Sequence, residues 1–169
     1  MASSIYMQIS KDGGIVTEGA GSIESIGAFS KKNHEDEIYV LGCSHKISVP
    51  TNPSSGAIIG SRQHDHIKIT KFTDKMSPVL QGYLTNTAKL EVSIEFWRSS
   101  EENKGQPQNY YTITLEDAKI VGMEFIAPDL SDARTDNDLP RDIVSFSYTS
   151  VKWENVVCST TAQDDFNES

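Results

Sequence analysis

The sequence predicts a mainly-β chain of the sandwich or barrel class with one short helix. Three observations predict it. Apolar residues recur at every second position in several separate segments, a single stretch carries helical i,i+4 apolar pairs, and the links between them are polar and turn-rich.

Taken in order, Ile5, Met7 and Ile9 mark a first strand, and Ile38 and Val40 begin another after a link that includes Ile15–Phe29. Ser48–Gly60 holds two prolines among Ser, Thr, Asn and Gly and reads as a long loop. Ile67 and Ile69 alternate with His66, Lys68 and Thr70, a period of two that puts apolar side chains on one face. The helix spans Ser77–Thr85. Ser77 suits the N-cap, Pro78 the first helical position, and Val79/Tyr83 with Leu80/Leu84 supply the apolar pairs. Gly82 weakens it, and Thr85-Asn86-Thr87 ends it.

Leu90, Val92, Ile94 and Phe96 alternate with Glu91, Ser93 and Glu95, as do Tyr111, Ile113 and Leu115 with Thr112, Thr114 and Glu116. Ser99–Asn109 reads as the connection between these two strands, and Ala127–Asp142 as an acidic, turn-rich loop. Val144, Phe146 and Tyr148 alternate, and then Val151 and Trp153 reverse the parity. A bulge, or a strand leaving one sheet for another, produces such a switch. The polar residues 156–169 read as a flexible tail.

The chain has 169 residues, which fits a single domain over 1–169. Fifteen Lys+Arg against 24 Asp+Glu give a net charge of −9, which argues against a nucleic-acid binder or docking on anionic membrane. Two cysteines make neither a disulfide framework nor a four-thiolate zinc site. Cys43 and Cys158 read as free thiols of a cytoplasmic protein; pairing them needs the tail to fold back near the second strand. The opening residues MASSIYMQIS lack a basic region followed by an apolar one, and no apolar run has the ~18 residues of a membrane span.

Reactive constellations are sparse. His64 and His66 share a strand face and invite zinc, with Cys43 or His45 completing the set, but they read better as a solvated strand edge. Ser44 and His45 point to opposite faces, so the hydroxyl and imidazole do not meet. Glu35-Asp36-Glu37 beside His34 offers an acid cluster that reads as hydrated loop. No nucleophile elbow, zincin helix or phosphate loop is present. No catalytic, cofactor-binding or metal-binding residue is assigned, and an enzyme is not expected. Trp97 and Trp153 suit a subunit interface or half-buried core equally. The polar outer positions suit an ordinary surface or the wall of a water-filled channel.

Five segments in order carry more specific information: EIYVLGCSHKISV (37–49), HDHIKITKFTDKMSPVL (64–80), EVSIEFWR (91–98), YYTITLEDAKIVGMEF (110–125) and DIVSFSYTSVKWE (142–154). Within them lie Glu37-Ile38, Val40-Leu41, Ser44-His45, Thr70-Lys71, Asp74 and Ser77-Pro78. Together they resemble the haemolysin-coregulated protein (Hcp) family, the tube subunits of bacterial type VI secretion systems. The resemblance runs from Ile5 to Trp153. It departs in the longer Ile15–Phe29 link and in the tail after Trp153.

The resemblance implies a compact β-barrel of two packed sheets with one flanking helix, and no cofactor or catalysis. It implies a homo-hexameric ring with a wide channel, and rings stacked into a tube inside a contractile sheath. The tube leaves the bacterial cytoplasm with a spike and without a cleaved signal, carrying small effectors in its lumen. A ring of identical subunits needs two different complementary surfaces on each copy. Ser48–Arg62 is the expected subunit or ring interface: Pro50 and Pro53 stiffen it, Ile58 and Ile59 anchor it, and Arg62 closes it. Two other readings stay open, a phage-tail-tube-like subunit that conducts DNA and a monomeric β-sandwich binding module.

Overall fold

The computed structural model describes residues 3–166. Strand β1 (Ser3–Lys11) turns at Asp12-Gly13 into the two-residue β2 (Gly14–Ile15). Both turn residues have positive φ, 52° and 79°, as this tight hairpin demands. A short helix α1 (Ile23–Ile26) and a 3-10 turn (Gly27–Phe29) follow. Then come β3 (Ile38–Ser44), β4 (Ile47–Ser48), β5 (Gln63–His64), β6 (Ile67–Phe72) and helix α2 (Ser77–Thr85). The chain continues with β7 (Leu90–Ser99), β8 (Pro107–Ile126), β9 (Arg141–Ser147), β10 (Ser150–Asn155) and β11 (Thr160–Asp165).

The strands pair antiparallel in the order β8-β7-β1-β3-β6-β9, and β9 pairs back to β8, so the sheet closes into a barrel. Closure depends on the 20 residues of β8. Its first part pairs with β7 on one side and β10 on the other, and Lys119–Ile126 pairs with β9. A bulge opposite Leu90 and Val92, with Asp117 at φ 48°, bends β8 between these duties. The inward residues of the opposed walls make one core: Met7, Ile9, Ile38, Ile67, Ile69, Ile94, Leu115, Val144 and Phe146 are all fully buried. Leu80 and Met76 of the α2 segment join it.

The parity switch near Tyr148 has the expected cause. β9 pairs with β6 and the far part of β8, and after Tyr148-Thr149 the chain crosses to β10 on the near part. Elsewhere the structure differs from the sequence-based expectation. The Ile15–Phe29 link holds a second short helix. Gly21 there passes so close to the 34–37 turn that a Cβ would lie 2.3 Å from the His34 carbonyl oxygen and 2.6 Å from that of Glu37. Its amide donates to the Glu35 carbonyl at 2.9 Å. Ser77 is not the N-cap of α2: Met76 holds that position with no side-chain cap, and the Ser77 hydroxyl is taken into a buried ionic cluster instead. The loop after β7 is shorter than Ser99–Asn109, because β8 already begins at Pro107.

The frayed tail expected over 156–169 is also corrected. Thr160–Asp165 forms β11 along the free edge of β10, from Asn155↔Thr160 to Ser150↔Asp165. Its polar sequence carries no apolar alternation. Backbone pairing and side-chain anchors at its far end hold it there instead. Residues 167–169 lie outside the described residues.

Candidate functional site: a projecting loop and its anchor

Between β4 and β5 the chain leaves the barrel and returns as a small projecting hairpin. Its base is the ladder Ile47↔His64 and Ser48↔Gln63, and a second bridge joins Thr51 to Ile58. Asn52 organises the tip: its amide donates to the Ala57 carbonyl, its carbonyl accepts from Gly56, and its side-chain oxygen accepts from the Ser54 amide. Pro50 and Gly60 cross closely, since a Cβ on Gly60 would meet the Pro50 ring at 2.8 Å. Residues 51–63 are all exposed, including Ile58 at 72% and Ile59 at 64%. The loop is braced by its own backbone hydrogen bonds and carries two large aliphatic side chains into water.

The base of this hairpin is tied to the tail. Arg62 Nε donates to Asp164 Oδ2 at 2.6 Å, and its guanidinium also donates to the Asp165 carbonyl at 3.1 Å. His64 Nε2–H donates to the same Asp164 carboxylate at 2.7 Å. Its Nδ1 is then left to accept the Tyr148 hydroxyl proton at 2.9 Å, and the Tyr148 oxygen accepts the His45 Nε2–H. Phe166 packs edge-on to His64 at 4.5 Å. Burial, with His64 nearby, lowers the His45 pKa, which suits a neutral donor. Burial, with Asp164 and Asp65 nearby, pushes Tyr148 up to about 12. The Arg62 hydrogen bond, with His64 assisting, holds the Asp164 carboxyl below its ordinary value.

The residues singled out from sequence fall in several places. Pro50, Pro53, Ile58, Ile59 and Arg62 do share one element, and Arg62 faces inward to the tail. His64 has both ring nitrogens engaged and His66 is exposed. Among the described residues, no three His, Cys, Asp or Glu side chains gather to hold a metal. His34 Nδ1 donates to Glu37 at 2.9 Å, and its ring stacks on Tyr6 at 3.8 Å; burial raises the Glu37 pKa against that hydrogen bond. Cys43, half-buried, and Cys158, exposed, are free thiols, and burial pushes Cys43 up to about 11. Trp97 and Trp153 are both half-buried, and Trp153 packs against the core.

Sequence reasoning missed the joining of His45, His64, Tyr148 and Asp164. They come from four separate segments, and no spacing rule connects them. It also missed a buried cluster around Lys71. There the ammonium donates to Asp74 Oδ1 at 2.8 Å, Ser77 Oγ at 3.0 Å and Asp142 Oδ2 at 3.1 Å. Its signal was visible as Thr70-Lys71, Asp74 and Ser77-Pro78, the spacing that contributes to the family resemblance.

The closed, helix-flanked β-barrel is shared with solved Hcp proteins, and the matches define a type VI secretion protein. The chain belongs to the family described as type VI secretion system effector, Hcp, whose model matches residues 6–155. It is similar to the major exported protein of Pseudomonas aeruginosa strain PAO1, 34% identical over 168 residues, covering 98% of this chain and 96% of that one. A crystal structure of an Hcp protein superposes with a TM-score of 0.90 at 31% identity, over 99% of this chain and 100% of the other. The secreted protein Hcp3 of Pseudomonas aeruginosa superposes with a TM-score of 0.81, also at 31% identity and over 99% and 100% of the two chains. The family is one of secreted structural components and not an enzyme family.

Proposed function

We propose that this chain is the structural subunit of the type VI secretion tube. Copies close into hexameric rings, and rings stack into a hollow conduit within the sheath. The tube is secreted with the spike from the bacterial cytoplasm without a cleaved signal peptide, and its lumen carries and shelters small effectors. The protein acts as conduit and projectile and needs no cofactor. The folded unit is the single tube domain of 1–169.

The observation that carries this reading is the hairpin over 48–62. Pro50 and Pro53 stiffen it, Arg62 fixes its base, and Ile58 and Ile59 stand largely exposed. An arm of this kind is one half of a head-to-tail contact, the type that closes rings of identical copies. Replacing Ile58 and Ile59 together with Asp is expected to convert rings to monomers in native mass spectrometry. Far-ultraviolet circular dichroism should stay unchanged, because neither side chain belongs to the barrel core. Annular particles in negative stain from that variant would refute the role of the arm. Solitary wild-type chains at high concentration would refute the tube itself.

A further inference from the structure

A second surface lies on the outer faces of β1 and β7. A cleft of about 630 Å³ opens there between the 31–37 and 99–107 segments. Its floor is aromatic: the His34 ring lies flat on Tyr6 and meets the Trp97 ring edge-on at 4.8 Å. Its rim carries Lys31, Lys32 and Arg98, all exposed. Arg98 is held in place by its guanidinium lying 4.6 Å over the Tyr110 ring. None of the three cations has an ion-pair partner among the described residues. The one carboxylate in the lining, Glu37, is occupied by His34. In a chain of net charge −9, these three cations around an aromatic floor are complementary to an acidic segment that also has an apolar residue, although Glu101 and Glu102 lie near Arg98.

The same molecule displays such a segment. Pro107, at the start of β8, lies on the cleft rim, while the loop after Ile126 leaves the other end of that strand. Residues 127–140 hold Asp129, Asp132, Asp136 and Asp138 against one cation, Arg134, which Asp132 already engages at 2.7 Å. Leu130 stands out between the acids, 71% exposed. The loop is shaped from within: the Asp129 side chain accepts from the Ser131 amide, and the Thr135 hydroxyl donates to the Asp129 carbonyl. Cleft and loop are opposite in charge, and among the described residues the loop's side-chain hydrogen bonds and ion pairs stay within the loop itself, which leaves it free to meet the cleft of a second copy.

We infer that the Lys31/Lys32/Arg98 cleft receives the acidic 127–140 loop of a second copy of this chain, with Leu130 against the aromatic floor. The inference rests on the self-assembling reading above and says which further surfaces of two copies meet. Two charge-reversed chains test it, Lys31→Glu/Lys32→Glu/Arg98→Glu and Asp129→Lys/Asp136→Lys/Asp138→Lys. Light scattering and negative stain should show that each alone loses higher-order association and that an equimolar mixture regains it. A fluorescein-labelled peptide of residues 127–140, followed by anisotropy, should bind the wild-type chain and bind the cleft variant about tenfold or more weakly. It should also weaken as salt is raised. Either variant associating like wild type, or peptide binding indifferent to the cleft charges, overturns the inference. A wild-type chain that never associates but still binds the peptide in a charge-dependent way sinks the tube reading and leaves the cleft assignment standing.

Discussion

Lys71 places a charged ammonium inside the barrel wall at 0% exposure, and the fold is built so that this charge is answered from three elements. Asp74 precedes α2, Ser77 opens it, and Asp142 lies on β9, so one side chain of β6 ties helix and neighbouring strand together. The Ser77 hydroxyl in turn donates to Asp142 and accepts from the Asp74 amide. Two carboxylates share one ammonium, and burial raises the Asp74 pKa despite the Lys71 hydrogen bond. Removing the cation strands both acids. Lys71→Met is expected to lose about 3–5 kcal/mol in urea unfolding, the usual consequence of breaking a buried pair from one side. Adding Asp142→Asn should recover part of that loss. A Lys71→Met loss under about 1 kcal/mol would show the cluster to be incidental.

β11 is the element least legible in the sequence. Its residues TTAQDD offer no apolar face, and what positions it is Asp164 at its end, reached by Arg62 and His64 from the foot of the hairpin. The folded Asp164 pKa is depressed, chiefly by Arg62. Its stabilisation of β11 is therefore present above the unfolded value of 3.8 and is lost as pH falls through the lower folded value. Corrected amide protection over Thr160–Asp165 should hold at neutral pH and drop below pH 3.8, with β1 and β8 still protected. Asp164→Ala should show the same local loss already at pH 7. Unchanged protection of β11 in that variant would mean that backbone pairing alone holds the strand. The strands with clean alternation, such as Leu90–Phe96 and Val144–Tyr148, were readable because one face of each meets the core. The hairpin was readable only as a long loop, since its Thr51↔Ile58 bridge comes from backbone geometry without an apolar pattern.

At the scale of the whole molecule, closure through β8 leaves the barrel strands without a free edge, and the exposed edges belong to the appended strands β11, β2 and the β4–β5 ribbon. One core shared by every barrel strand makes local opening costly, so the barrel is expected to unfold as a unit. In the Ile58→Asp, Ile59→Asp chain, where assembly does not intrude, tryptophan fluorescence and far-ultraviolet circular dichroism should give one coincident urea transition. Separated transitions would mean that the β10–β11 side, which holds Trp153, unfolds apart from the wall holding Trp97.

The sequence by itself determined the mainly-β class, the strands of the barrel wall, helix α2 and, through five ordered segments, membership of the Hcp family. These are local or pattern-borne properties: a period of two, an i,i+4 pair and a motif spacing are all written along the chain. Tertiary structure alone decided that β8 bends to close the barrel, that the tail becomes β11, and that His45, His64, Tyr148 and Asp164 form one chain of hydrogen bonds. It also decided that Lys31, Lys32 and Arg98 ring a common cleft. The physical reason is that hydrogen bonds and fields depend on distance in space, and these groups, remote in sequence, become neighbours only after the apolar faces have closed on one another.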